Sequence, residues 1–260
     1  MCSSDLLTNV VVVLLPRMSN FTDFNALAAE KDVALRFAAS PDDLRGADVV
    51  ILPGSKNTLE DLDYLVTSGF PSAVESHVHR GGELVGICGG YQMLGQAIAD
   101  PKGLERGGRS IGLRFLDVTT ELDAPKICRQ VRATSLLHGV EPHAPIRGYE
   151  IHMGRTSRGA ANPCFKIEAS EVWEGMARGD EGAASENGRV WGTSIHGLFD
   201  QAAFRRGWLN RARDRKGLPP ISSLESELVA TKLRAELDRW ADHLEQYVDM
   251  GVIYSVFEER

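Results

Sequence analysis

The regular pattern of the chain begins at Asn9. Asn9–Leu15 is an unbroken apolar run rich in β-branched residues, which is how a strand buried on both faces reads. Similar runs predict strands at Val33–Phe37, Asp48–Leu52 and Glu83–Ile87. Helical spacing lies between and after them, at Phe24–Glu30, Thr58–Thr67, Pro71–Arg80 and Gly90–Ala99. Ser40 ahead of Pro41 predicts a short helical turn with Ser40 as its N-cap. Strands alternating with helices predict an α/β domain on an open, mostly parallel sheet flanked by helices.

The texture changes after Asp100. Segment 101–110 reads as a loop, and segments 111–120, 127–134, 146–152, 165–169, 172–177 and 189–195 read as strands. Helices return at Ala202–Arg213 and Glu225–Val248. In the second, Leu233, Leu237, Trp240, Leu244 and Tyr247 share one face, expected to pack in a core or against a partner. Gly217–Pro220 is the candidate hinge. The expected organisation is a non-native or disordered leader at 1–8, a main domain at 9–215 and a C-terminal helical extension at 216–260.

Composition narrows the function. Of 260 residues, 43% are hydrophobic and 25% charged, an ordinary balance for a globular chain with a full core. The formal net charge of −7 argues against nucleic acid as a partner. No apolar stretch approaches the roughly 18 residues of a membrane span, and no secretory signal is visible. The four cysteines are scattered and form no CxxC, so neither a disulfide framework nor a metal site is expected. A reduced, cytoplasmic setting follows. The glycines around Arg106 follow no clear strand and read as a loop, not a phosphate cradle.

The sharpest chemical signal is Gly86-Ile-Cys88-Gly-Gly90, between a predicted strand and a predicted helix. Gly-x-Cys-x-Gly has the spacing of a nucleophile elbow, which projects its central side chain from a tight turn. Cys128 and Cys164 lack this context and read as inert thiols. In Cys88 the turn favours a nucleophile, with the Gly89 N–H placed to hold an oxyanion. A cysteine nucleophile needs a base. His77, His79, His138, His143 and His243 sit near helix ends, turns or a polar helix face. His196 ends the run Val190–Ile195, where a strand terminus meets a ligand cleft. His196 leads on this ground, and His152 stays open beside it.

Further motifs carry a resemblance. Gly86–Gly95 and the later Gly192-Thr-Ser-Ile-His-Gly-Leu-Phe-Asp200 resemble class I glutamine amidotransferases of the flavodoxin-like type. Pro16–Phe24, Pro53–Thr58 and Gly148–Gly154 narrow the resemblance to the cobalamin-pathway branch, the glutaminase half of the cobyric acid synthase family. It covers residues 9–215. It implies Cys88 as nucleophile, His196 as its base, and Gly54 and Gly89 as oxyanion donors. Gln92, Tyr149 and Glu150 would line the glutamine cleft. Many relatives carry a glutamate two residues after the histidine; here that position is Leu198, so another group must orient the imidazole. Asp23 and Asp200 are candidates, each with a turn or N-cap reading beside it.

The same resemblance implies glutamine as substrate and an ATP-binding synthetase half that carries ATP, Mg and a corrinoid acceptor, adenosylcobyrinic acid a,c-diamide. No GxxxxGK[ST] occurs in this sequence, so no cofactor is expected on this chain and ATP would belong to the other half. The alternative is a stand-alone glutaminase subunit of another amide ligase, such as the peptidoglycan-precursor isoglutaminyl synthase. A scaffold without catalysis and a cysteine hydrolase of another substrate are weaker readings of the same motifs.

Overall fold

The computed structural model describes residues 6–140, 145–170 and 179–251. His143, the strand expected at 172–177 and most of the expected leader lie outside them. Six strands form the central sheet, in the spatial order Ala183–Ala184, Val190–Thr193, Glu83–Ile87, Val49–Leu52, Thr8–Val13, Val33–Ala38. All neighbours run parallel except the edge strand Ala183–Ala184. The first strand starts at Thr8, whose side chain is buried, and Lys216 Nζ donates to Leu7 O at 2.7 Å. The end of the expected leader is therefore part of the fold.

Alternation along the strands divides the core into two layers. Val10, Val12, Val49, Ile51, Val85 and Trp191 face one side and pack on the helix Ala202–Arg215 through Phe204, Trp208 and Leu209. Val11, Val13, Val50, Leu52 and Leu84 face the other side, against helices Thr58–Thr67 and Phe70–His79. Both faces are covered, which explains the unbroken apolar runs. The Ser40–Asp43 capping box forms at the start of Pro41–Leu44, as its sequence predicts.

Three smaller sheets accompany it among the described residues, the smallest pairing Met18–Ser19 antiparallel with Gly54–Ser55. A five-stranded antiparallel sheet has the order Gly179–Glu181, Phe165–Ser170, Ile127–Ser135, Pro145–His152, Ile195–His196. A four-stranded sheet contains Ala97–Asp100 and Gly108–Ile111. Three expectations need correction here. The segment read as one strand at 111–120 is strand only at Ile111, the end of Gly108–Ile111, and from Val118, the start of Val118–Glu121. The helix after Cys88 ends at Met93, and residues 97–100 are a strand. The reason is crowding: a Cβ on Gly95 would lie 2.7 Å from Val118 O, and one on Gly112 would lie 2.1 Å from Gly95 O. The segment read as a loop at 101–110 enters a strand at Gly108; before it, the Asp100 carboxylate accepts from the N–H groups of Leu104, Glu105 and Gly107.

Phe24–Glu30 is also not one helix but a 3-10 turn, Phe21–Phe24, continued by four α-helical residues, Asn25–Ala28. The last helix spans Ser223–Tyr247, and its Leu237, Trp240, Leu244 and Tyr247 are exposed. Among the described residues they belong to neither core cluster; the side chain of Leu233 is not among those described. Among the described residues no helix is long and apolar enough to cross a membrane.

The tightest constraint in the central sheet is at Gly90, where a Cβ would sit 2.0 Å from Leu52 O. Gly90→Ala is expected to lower the stability by about 1–3 kcal/mol or more, read from urea unfolding. Unchanged stability would mean that the Leu52 carbonyl moves aside freely.

Candidate active site

Cys88 sits between the strand Glu83–Ile87 and the helix Gly89–Met93. Its backbone is at φ 52°, ψ −109°, a conformation that costs a non-glycine residue about 1–3 kcal/mol. Hydrogen bonds hold it there: Cys88 N donates to Thr193 O at 2.8 Å, and Cys88 O accepts from Gln92 N at 3.1 Å. The flanking glycines make the turn possible. A Cβ on Gly86 would lie 2.7 Å from Tyr91 N, and the Gly90 contact is tighter still. The small residues of the elbow are therefore steric requirements.

His196 arrives from a different direction. The chain leaves the central sheet at Thr193 and joins the antiparallel sheet at Ile195, pairing with Tyr149 and Glu150. Glu181 satisfies the backbone at this crossing: it accepts from Thr193 Oγ1 at 2.5 Å and from Ser194 N at 2.7 Å. Burial pushes the Glu181 carboxyl up to about 7, against the pull of these hydrogen bonds. Gly148 lets the neighbouring strand come close, because a Cβ there would lie 2.3 Å from His196 O. Tyr149 then stacks on the imidazole, with ring centres 5.2 Å apart.

The imidazole is held by Asp23. His196 Nδ1–H donates to Asp23 Oδ2 at 2.7 Å, and Gly197 N donates to Asp23 Oδ1 at 3.0 Å. Both groups are buried. Asp23 therefore serves neither as a surface turn carboxylate nor as an N-cap. Asp200 is exposed and makes no hydrogen bond to the ring. The Cys88 thiol also acts on the imidazole and raises its pKa, while its Sγ donates to Ile151 O at 3.7 Å. Gly54 lies against the same ring, since a Cβ there would be 3.4 Å from His196 Cε1. A Cβ on Gly89 would be 3.0 Å from Ser55 N. Gly54 and Gly89 thus belong to backbone segments that converge beside Cys88, and the first N–H of a helix has no intrahelical partner.

A cavity of about 200 Å³ opens on Cys88. Gln92 lines it, accepting from Thr58 Oγ1 and donating to Met153 O, both at 3.2 Å. Glu150 does not line this cavity. It is buried in an ion pair with Arg129 and faces a larger cavity of about 650 Å³. Tyr149 is absent from the small cavity too: it covers the imidazole and its hydroxyl accepts from Asn20 Nδ2 at 3.2 Å. His152 lines both cavities, and burial holds its pKa below the ordinary histidine value. Of the remaining described histidines, His77 is buried and bonded to Glu83 O, while His79, His138 and His243 are exposed. Asn20 and Thr58 are the residues that the sequence reading left without a role; the only signal for them is their place within the motifs Pro16–Phe24 and Pro53–Thr58. Among the described residues no group of three His, Cys, Asp or Glu side chains is placed to hold a metal ion.

A buried, oriented imidazole beside a thiol can take a proton from it and later return one to a leaving group. Burial by itself lowers the pKa of His196; the bond to Asp23, followed by Cys88, outweighs burial and pushes it up to about 9. The ordinary value is about 6.5. The stabilisation carried by this raised value is complete below about pH 6.5 and is lost as the pH rises through about 9. Asp23→Asn is therefore expected to cost most stability at about pH 6, with the gap to the parent chain narrowing towards about pH 10. Urea unfolding at stepped pH checks this, and a gap that widens with pH would overturn it.

Comparison with known proteins fits this geometry. Residues 9–204 match the CobB/CobQ-like glutamine amidotransferase domain. The chain is 43% identical over 259 residues to the cobyric acid synthase of Klebsiella pneumoniae (strain 342), covering 97% of this chain and 49% of that protein. It is 42% identical to the cobyric acid synthase of Syntrophobacter fumaroxidans over 247 residues, covering 93% and 48%. The chain thus spans about half the length of the curated relatives it matches. Among solved structures, PurLQS from Thermotoga maritima superposes with a TM-score of 0.59 at 20% identity, over 79% of this chain and 99% of that one. A glutamine amidotransferase from Thermotoga maritima gives 0.51 at 16% identity, over 89% and 97%. These two show the fold. Fold, motif spacing and family match agree: the chain belongs to the CobB/CobQ-like glutamine amidotransferase family and is a glutamine amidotransferase.

Proposed function

We propose that this chain is the glutaminase half of a cobyric acid synthase, releasing ammonia from glutamine for an ATP-dependent amidation. The observation that carries the reading is the joining of Cys88, His196 and Asp23 from three distant parts of the sequence. The Cys88 thiolate attacks the carboxamide carbon of glutamine, and the carbonyl oxygen becomes an oxyanion met by the N–H groups of Gly54 and Gly89. Protonated His196 gives its proton to the departing nitrogen, and the C–N bond breaks to leave ammonia and a glutamyl thioester. Water, deprotonated by His196, then cleaves the C–S bond to give glutamate and restore the thiol. Asp23 keeps the reacting nitrogen of His196 aimed at Cys88 throughout. Gln92 lines the pocket that would hold the glutamine.

The acceptor would lie outside these residues. The named relatives are cobyric acid synthases of about twice this length, which supports a second half that binds ATP and Mg and presents carboxylates of a corrinoid, adenosylcobyrinic acid a,c-diamide. Residues 9–215 would form the amidotransferase unit and 216–260 its helical extension. The described cysteines Cys88, Cys128 and Cys164 are free, which suits the reduced conditions of a cytoplasm.

The purified chain is expected to release glutamate from glutamine and to be labelled at Cys88 by a diazoketone analogue of glutamine. Cys88→Ala should lower turnover by about 10³-fold or more, and His196→Ala by about 10²–10⁴-fold. Mass spectrometry maps the label. Labelling without turnover would mean a site gated by the synthetase half. Absence of both would sink the proposed chemistry.

A further inference from the structure

The Asp23–His196 hydrogen bond joins the neighbourhoods of two short turns. Asp23 sits in Phe21–Phe24, continued by Asn25–Ala28 towards Glu30. His196 leads into the three-residue turn Leu198–Asp200. One buried side chain from the helix Ala202–Arg215 ties the segment that follows the first turn to the second turn itself. Arg205 is 1% exposed. Its Nε donates to Glu30 Oε1 at 2.7 Å, on the Asp23 side. Its Nη1 donates to Phe199 O at 2.6 Å and to Asp200 O at 3.3 Å, on the His196 side. A guanidinium is suited to this task because it is planar, always charged and carries donors pointing in fixed directions.

We infer that Arg205 is a positioning residue for the glutaminase site, fixing the turn of Asp23 against the turn of His196. It touches no reacting atom. It acts by setting the separation of two groups whose hydrogen bond is only 2.7 Å long. The inference rests on the reading of His196 as the base of the reaction. Glu30 is part of the same device: it is buried, and it also accepts from Arg206 Nη1 at 3.2 Å. Lysine has the charge but not the fork, so it cannot hold Glu30 and both carbonyls at once.

The neighbouring Arg213 supplies the control. It lies on the same helix, is also buried, and donates from Nη1 to Asp32 Oδ2 at 3.1 Å and from Nε to Pro219 O at 2.9 Å. It meets neither turn. The groups acting on the His196 ring are Asp23, Cys88, the stacked Tyr149 and His152 of the neighbouring strand, with Asp200 beside Gly197.

The test compares the full chain with Arg205→Lys, Arg205→Gln and Arg213→Lys. Each is measured for melting temperature, for glutaminase kcat and KM, and for His196 titration by NMR of the imidazole. Arg205→Lys is expected to stay folded, to lose about 10- to 100-fold in kcat with KM little changed, and to titrate His196 below the parent value. Arg213→Lys is expected to lose melting temperature while keeping kcat and titration. An Arg205→Lys chain with parental kcat and titration overturns the inference, as does an Arg213→Lys chain that shifts both equally. If the parent chain shows neither turnover nor labelling of Cys88, the reading of the site falls separately; with labelling but no turnover, the titration alone still decides the role of Arg205. If both Arg205 variants fail to fold, Glu30→Gln is read by the same titration, and unfolding there too assigns the cluster to stability and overturns the inference.

Discussion

A hydrogen bond of 2.7 Å between Asp23 and His196 joins residues separated by 173 positions in the chain. Much of the architecture can be understood as what that bond requires. Asp23 must reach the end of the first strand of the central sheet, and His196 must arrive from the end of Val190–Thr193, three strands away. The two meet only because His196 has left the central sheet and joined a second one. Glu181 holds that crossing by taking the Ser194 N–H and the Thr193 hydroxyl. A buried backbone donor left unpaired at such a crossing would be costly.

The nucleophile is fixed by the opposite means. Cys88 relies on the absence of side chains around it. Gly86 and Gly90 each sit where a Cβ would strike backbone atoms. Gly148 does the same service for the strand of His196, and Gly54 lies against the ring itself. Backbone thus approaches the reacting groups from several directions at once. This kind of site leaves little freedom for a misplaced atom, and little space for water beyond the cavity of about 200 Å³. It suits a reaction in which an oxyanion must be met by fixed N–H donors.

The legibility of the sequence follows from which forces are local. Glu83–Ile87 and Thr58–Thr67 are read at their true bounds because apolar pattern and caps are local signals. In the structure Asn57 caps the second of these elements, accepting from Glu60 N. The cysteine elbow is legible for the same reason, since its glycines are adjacent to it. Gly90–Ala99 misleads because its tail joins a sheet with residues 108–111 and 118–121, and no local pattern announces that pairing. Glu150 stands in the motif of the cleft but faces Arg129, since alternate residues of a strand point to opposite faces. Asp23 and Asp200 look alike in sequence; only tertiary packing separates the carboxylate that meets the imidazole from the one in solvent.

The helix Ala202–Arg215 explains how such non-local geometry is specified. Its apolar side, Phe204, Trp208 and Leu209, packs on the central sheet. Apolar packing alone tolerates small slides and rotations. The helix also buries arginines at both ends. Arg205 and Arg206 meet Glu30, while Arg215 pairs with Glu83, whose carboxylate also accepts from Trp191 and Trp208. Burying these charges offsets much of what the pairs gain, so they are weak grounds for stability. The bonds of Arg205 and Arg206 to Glu30 and of Trp208 to Glu83 are directional, however, and tie the helix to two different segments. A slide of the helix would break Glu83 at one end and Glu30 at the other. The apolar face therefore decides that the helix docks, and the buried ion pairs decide where. Because the turn bearing His196 leads directly into this helix, its alignment is also the alignment of the base.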